Sequence, residues 1–375
     1  MKILVTGGAG FIGQHLTRFL LGQNVSVTIF DNFLPQVHGN EGQLPPDLAA
    51  NVRLVVGDVA DAVAMQDALQ GVQRIVHLAA ETGTGQSMYE VGRYARTNLE
   101  GTAQLFEALA KSANHKIDRV VVASSRAIYG EGAYQCEHDG LVYPLPRSSA
   151  EKQAGIFDPV CPTCGRLCSA AATPESAPAQ PSSFYGLTKL TQEQMVLLFG
   201  QVLGVSSVAL RYQNVFGPGQ SLQNPYTGIL AIFSNLARGG QPIRVFEDGM
   251  ESRDFVYIDD VVAATATALL APLEGCHYVN VGSGESTTVL EVAEQINAYF
   301  GSRSTVQVTG AFREGDIRHG FADLSKARHL LSYQPTWSFR EGLKRFMMWA
   351  ERSPPSTEGY ERSLTEMRDR GLLRD

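Results

Sequence analysis

The sequence predicts an α/β fold: a doubly wound parallel sheet with a smaller C-terminal substrate-binding lobe and a Pro/Cys-rich insertion. Three observations carry this. Short Val/Ile/Leu-rich runs alternate with amphipathic stretches through the first half, as in a parallel sheet covered on both faces. A glycine-rich turn, "VTGGAGFIG", joins the first such run to the first amphipathic stretch. Beyond residue 215 the runs shorten and the connections carry Gly and Pro, as in a second, smaller unit.

Strands are expected at "KILVT" (2–6), "VSVTIF" (25–30), "VRLVVG" (52–57), "RIVHLAA" (74–80), "RVVVASS" (119–125) and "SSVALRYQNV" (206–215). "FIGQHLTRFLLG" places Phe11, Ile12, Leu16, Phe19 and Leu20 at helical spacing, with Gly22 as its stop. A second helix is expected to begin near Ser183. Between Gly130 and Ser182 the rhythm stops, and seven of the 17 prolines lie between Pro144 and Pro181. A stretch this long without periodicity is functional or disordered. The expected division is 1–213 for the nucleotide-binding unit with insertion 131–182, 214–350 for the lobe, and 351–375 for a polar tail, by default a solvated end and otherwise a surface helix.

Composition excludes several classes. At 375 residues the chain can bury a large core. No run of eighteen apolar residues is present, so no membrane partner is expected. The N-terminus lacks the basic and cleavage regions of a signal peptide, which suggests a cytoplasmic protein. A formal charge of −7 argues against a nucleic-acid partner.

Gly7, Gly10 and Gly13 follow a strand and open a helix, where bare backbone lets a pyrophosphate approach the helix N-terminus. Asp31 ends the second strand and would hold ribose hydroxyls while repelling a 2′-phosphate, favouring NAD over NADP. The same cofactor site is expected to draw on Phe11, Ile12 and Asn32, on Asp58 and Val59 after the third strand, and on Leu78, Ala79 and Ala80 after the fourth. "SSFYGLTK" sets Tyr185 and Lys189 at i,i+4 on one helical face. Ser124 and Ser125 end the fifth strand, at the edge where open α/β sheets bind ligands. Ser125 and Tyr185 would hold a hydroxyl. A unit charge on Lys189 about 4 Å away would bring a phenol pKa near 10 down to about 7. A general base poised there suits alcohol oxidation.

In this order, "TGGAGFIG", "SSRAIYG", "YGLTK", "RYQNVFGPGQ" and "SRDFVYIDDV" resemble the extended short-chain dehydrogenase/reductase family of nucleotide-sugar epimerases and dehydratases, over roughly residues 1–345. The resemblance implies a Rossmann-type NAD domain, a sugar-nucleotide lobe and a homodimer made through two helices per subunit. It places Ser125, Tyr185 and Lys189 as the catalytic trio and Asn98 as a brace for the lysine. Family dehydratases carry Asp-Glu after the catalytic hydroxyl residue. Arg126-Ala127 stands there instead, which leaves a 4-epimerase. Arg253 and Arg313 resemble diphosphate-binding arginines, and Asn214, Val245, Phe246 and Asp316 would contact diphosphate, base and ribose. Thr82, Thr84, Ser87 and Arg126 would line the sugar site. "AETGTGQSMYEV", "CPTCG" and "VFEDGMESRDF" resemble the branch that interconverts dTDP-L-rhamnose and dTDP-6-deoxy-L-talose. UDP-glucose or UDP-N-acetylhexosamine epimerisation, a 4-keto-sugar reductase and a non-catalytic dinucleotide sensor are the alternatives. Gly320, where UDP-sugar epimerases place a gate residue, would leave a roomier pocket.

Three of five cysteines fall in "DPVCPTCGRLC". Cys161 and Cys164, joined by Cys136 and His138 of "CEH", would complete a Cys₃His site for a structural zinc, with Cys168 as a spare; unliganded thiols are the alternative.

Overall fold

The computed structural model describes residues 1–39, 42–112, 116–224, 226, 228–355 and 358–374. Seven parallel strands form the central sheet: β1 (Lys2–Thr6), β2 (Ser26–Asp31), β3 (Arg53–Val56), β4 (Arg74–His77), β5 (Arg119–Ser125), β6 (Ser206–Tyr212) and β7 (Cys276–Val281). Their spatial order is β7-β6-β5-β4-β1-β2-β3, every neighbouring pair parallel. The order reverses between β1 and β4, and the crevice outside their carboxyl ends is where this topology binds ligands.

The two-residue period of a strand sorts the core. Ile3, Val5, Val121, Val208 and Leu210 face one helical layer, which contains α1 (Phe11–Gly22). Leu4, Phe30, Val120, Val122 and Ala209 face the other. That second layer includes α2 (Gly101–Lys111) and the twenty-residue α3 (Phe184–Leu203). Burial on both faces is why these strands read as continuous apolar runs. Ser183 caps α3 by accepting from Gly186 N, and left-handed Gly204 ends it.

The C-terminal lobe is built from short pairings, Ile243–Val245 with Val306–Val308 and Ser252–Arg253 with both Thr287–Thr288 and His319–Gly320. The chain leaves this lobe to donate β7 to the main sheet, where Cys276 is half-buried.

The insertion, aperiodic in sequence, is ordered. Tyr134–Cys136 pairs antiparallel with Gly140–Val142 and with Ser169–Ala170. Strands of two or three residues are too short to leave a periodic signal.

The tail also departs from a solvated end. Helix α4 (Glu358–Asp369) buries Leu364 and Met367, and Leu373–Arg374 pairs antiparallel with Phe312–Arg313. Tyr360, Leu364 and Met367 recur at i, i+4 and i+7, a stripe that needs a partner surface. Residues 356, 357 and 375 of the tail lie outside the described residues. Among those described, no helix is long and apolar enough to cross a membrane.

Candidate active site

One cleft runs along the carboxyl ends of the central strands and under the lobe. At one end the chain turns at Gly7, whose φ is +66°. A Cβ there would lie 2.7 Å from Ala79 N, and one at Gly13 would lie 2.5 Å from Gly7 O. Only bare backbone fits. Gly10 precedes α1 and no side chain caps its amides, so the helix N-terminus is free to meet an anion. Asp31 is fixed at the tip of β2 by Ala9 N and Phe33 N, each donating to its carboxylate at 2.9 Å. A glycine cradle and a tethered carboxylate fit a dinucleotide's pyrophosphate and ribose. Phe11, Ile12, Asn32, Val59, Leu78, Ala79, Ala80 and Ser124 line the same cleft. Asp58 does not: its carboxylate accepts from Ala60 N at 2.9 Å and turns toward Arg96.

Tyr185 stands in the first turn of α3, its phenol beside the Ser125 hydroxyl at the end of β5. Lys189, one turn on, is buried and donates to Ala123 O at 2.9 Å. Without a carboxylate partner, burial pushes its ammonium down to about 7. The phenol differs from the expectation of an acidified group. Burial raises Tyr185, opposed by the neighbouring Ser125 hydroxyl and the Arg126 charge. Lys189 is not among the groups that lower it in the ligand-free cleft, its own charge being disfavoured by burial.

That cost gives a stability prediction. The unfolded lysine titrates near 10.4, so between about 7 and 10.4 the unfolded chain binds more protons and stability rises with pH. Lys189→Met lacks this dependence. It should melt above the parent chain at pH 7, with the gap closing toward pH 10, as thermal melts of the ligand-free proteins would record.

Ser87 lies behind the site. Its hydroxyl accepts from Tyr185 N at 3.0 Å and donates to Thr84 O at 2.6 Å, positioning α3 rather than facing the cleft. Asn98 is likewise committed, to Glu81 N and O and to the Thr188 hydroxyl beside Lys189. Ser124 donates to Glu193 at 2.6 Å.

The far end is cationic. Arg126 donates to Asn214 Oδ1 at 2.8 Å, and Arg253 reaches Ser252 O, Ile317 O and Arg318 O within 3.0 Å. Arg313 pairs with Asp316 at 2.7 Å, its guanidinium 5.3 Å from the Phe246 ring centroid. Burial and the neighbouring Arg253 push Arg126 down to about 9. Converging, desolvated guanidiniums fit an anionic ligand such as a diphosphate. Thr82 and Thr84 line the cleft, whereas Val245 is fully buried and faces the core.

Among the lining residues that the sequence reading missed, four carry polar groups of consequence. Glu81 pairs with Arg93 at 2.8 Å. Glu251 is buried with Oε2 unbonded, and burial pushes it up to about 7. Tyr226 and Tyr360 also reach the cleft, the latter from the tail. Glu251 stands two residues before Arg253, and that alternate spacing was the available signal.

Cys136, Cys161 and Cys164 converge in the insertion, away from this cleft. His138 does not join them. Its ring is exposed and bonds Asp139 Oδ1 at 3.0 Å, and Asp139 takes the fourth place because the hairpin turn aims that neighbour inward.

The family model described as "NAD dependent epimerase/dehydratase family" matches residues 3–155 and 162–282. A dTDP-L-rhamnose 4-epimerase of Burkholderia thailandensis is 42% identical over 350 residues, spanning 93% of this chain and 94% of that protein. Among solved structures, a UDP-glucose 4-epimerase of Thermotoga maritima with UDP-glucose superposes with a TM-score of 0.76 at 28% identity, covering 94% of this chain and 99% of its own. A UDP-glucuronic acid 4-epimerase from Bacillus cereus, in complex with UDP-glucuronic acid and NAD, gives 0.75 at 26% identity and the same coverages.

Proposed function

The chain belongs to the NAD dependent epimerase/dehydratase family, and from that premise we infer that it is an NAD-dependent nucleotide-sugar 4-epimerase. We propose dTDP-L-rhamnose and dTDP-6-deoxy-L-talose as the pair it interconverts, in the cytoplasm, where five unpaired thiols persist. The carrying observation is a half-buried phenol at the meeting point of two ends of one cleft, a glycine cradle and a cluster of arginines.

The glycine turn, Asp31 and the residues around them would hold NAD, which supplies the hydride-accepting and hydride-returning chemistry at C4. Tyr185 takes the proton of the C4 hydroxyl, directly or through Ser125, and gives it back once the configuration is inverted. Lys189 and Arg126 stabilise the phenolate while it holds that charge. Arg253 and Arg313 anchor the diphosphate, Asp316 the ribose, and Phe246 flanks the base. Anchoring at the nucleotide end leaves the 4-keto sugar free to present its other face. Arg126 is spent on Asn214 rather than being an acid that could eliminate water.

UDP-sugar epimerisation is the second reading, favoured by the likeness to a UDP-glucose 4-epimerase. Gly320 does not add to it: a Cβ there would meet Ile317 Cδ1 at 3.0 Å, so the bare position opens no room of its own. We also propose a homodimer, because Leu187, Leu198 and Val202 form an exposed apolar stripe on one side of α3.

The test is product analysis with dTDP-, UDP- and GDP-sugars, the same preparations being weighed by sedimentation. The expected result is a dimer that yields the 4-epimer of dTDP-L-rhamnose with no net change in NADH. Stoichiometric NADH consumption on a 4-keto sugar nucleotide would instead identify a reductase.

A further inference from the structure

The insertion carries a second site that the epimerase reading leaves unused. Its hydrophobic cluster consists of Tyr134, Cys136, Val142 and Cys161, too little apolar burial to hold some fifty residues together. At the centre of that cluster, Cys136 Sγ, Asp139 Oδ, Cys161 Sγ and Cys164 Sγ all lie within 4.8 Å of one another. Cys136 Sγ is 3.6 Å from Cys164 Sγ and 3.6 Å from Asp139 Oδ2, and Cys161 Sγ is 3.1 Å from the same oxygen.

We propose that these four side chains bind one structural zinc ion as a closed Cys₃Asp centre. A tetrahedron with Zn–S near 2.3 Å and Zn–O near 2.0 Å has S···S edges of about 3.8 Å and S···O edges of about 3.5 Å. The three separations given above lie within about 0.4 Å of those edges, and the remaining three fall within 4.8 Å.

The backbone is arranged for thiolates. Asp139 N points at Cys136 Sγ and Thr163 N at Cys161 Sγ, each at 3.4 Å. Gly165, φ +73°, makes the tight turn of the "CPTCG" knuckle. Asp139 turns one oxygen to the sulfurs and the other to His138, so the histidine steadies a ligand without being one. A disulfide does not account for the cluster. The closest sulfur pair is far from the ~2.05 Å of an S–S bond, and such a bond would leave Cys161 and Asp139 without a role.

The ion would staple the hairpin at Cys136 to the loop at 161–164. That loop leads directly from Asp158, which pairs with Arg318 at 2.8 Å, and from Phe157, whose carbonyl accepts from Arg147 at 3.1 Å. Both arginines are buried beside the lobe, so the centre would fix the insertion against it.

Elemental analysis of the full-length protein, purified without chelator, should find about one zinc per chain. Cys136→Ser and Cys161→Ser should lose it, while His138→Ala and Cys168→Ser should keep it. Should the serine variants fail to fold, cobalt(II) exchanged into the unmodified chain reads the same ligands, through thiolate charge-transfer bands and strong visible bands of a tetrahedral ion. Zinc-free protein whose thiols all react freely, a Cys136–Cys164 disulfide by mass, metal retained in Cys161→Ser, or metal lost in Cys168→Ser would each overturn the assignment.

Discussion

Tyr185→Phe is expected to lower kcat by about 10²–10⁴-fold, the range for removing a positioned acid–base group. The substitution keeps the ring in the first turn of α3 and deletes only the phenolic oxygen beside Ser125. Packing against the cleft is therefore retained. The nucleotide end of the substrate is anchored by arginines from other parts of the chain, so its dissociation constant should stay within severalfold of the parent value. Steady-state kinetics beside equilibrium titration of a dTDP-sugar separate the two quantities. Unchanged turnover would remove the phenol from the chemistry. Because the ligand-free phenol is pushed up by burial, its activation must come with ligands. The parent chain should thus show a phenol that titrates lower with NAD bound than without it, a difference absent from the phenylalanine variant.

How much of this was legible depended on distance along the chain. The sheet could be read because each strand buries both faces, and the glycine turn because its chemistry is contained within nine residues. Tyr185 and Lys189 share a helical face, so their spacing alone brought them together. Where the sequence failed, it often failed by one residue. Phe246 faces the cleft and Val245 the core, Val59 lines it and Asp58 turns away, and Asp139 points at the sulfurs where His138 points out. Adjacent residues in extended or turning backbone face opposite ways, and a motif does not state its phase. The tail failed for another reason. Its amphipathic stripe was present, but the surface it covers includes Phe246 and Ala311, distant along the chain.

Arg211→Met is expected to cost about 3–5 kcal/mol of stability, the range for breaking a buried ion pair from one side. Arg211 holds Glu193 through two bonds of 2.6 and 3.1 Å, and both side chains are almost wholly buried. It also donates to Tyr129 Oη and to Glu175 O, tying β6 to the insertion. Methionine fills much of the volume but leaves the Glu193 carboxylate in the core with only the Ser124 hydroxyl. An exposed pair gives the contrast. Arg18 and Asp47 are 2.7 Å apart but largely solvated, so Arg18→Ala should cost less than about 1 kcal/mol. If the penalty is an uncompensated charge rather than lost packing, adding Glu193→Leu to Arg211→Met should recover part of it. Thermal melts of the four proteins decide this, and a double variant no more stable than Arg211→Met would assign the loss to packing. Glu193 also holds Ser124, next to Ser125, so the same disturbance reaches the end of β5. Turnover in Arg211→Met should therefore fall even at temperatures where the chain stays folded.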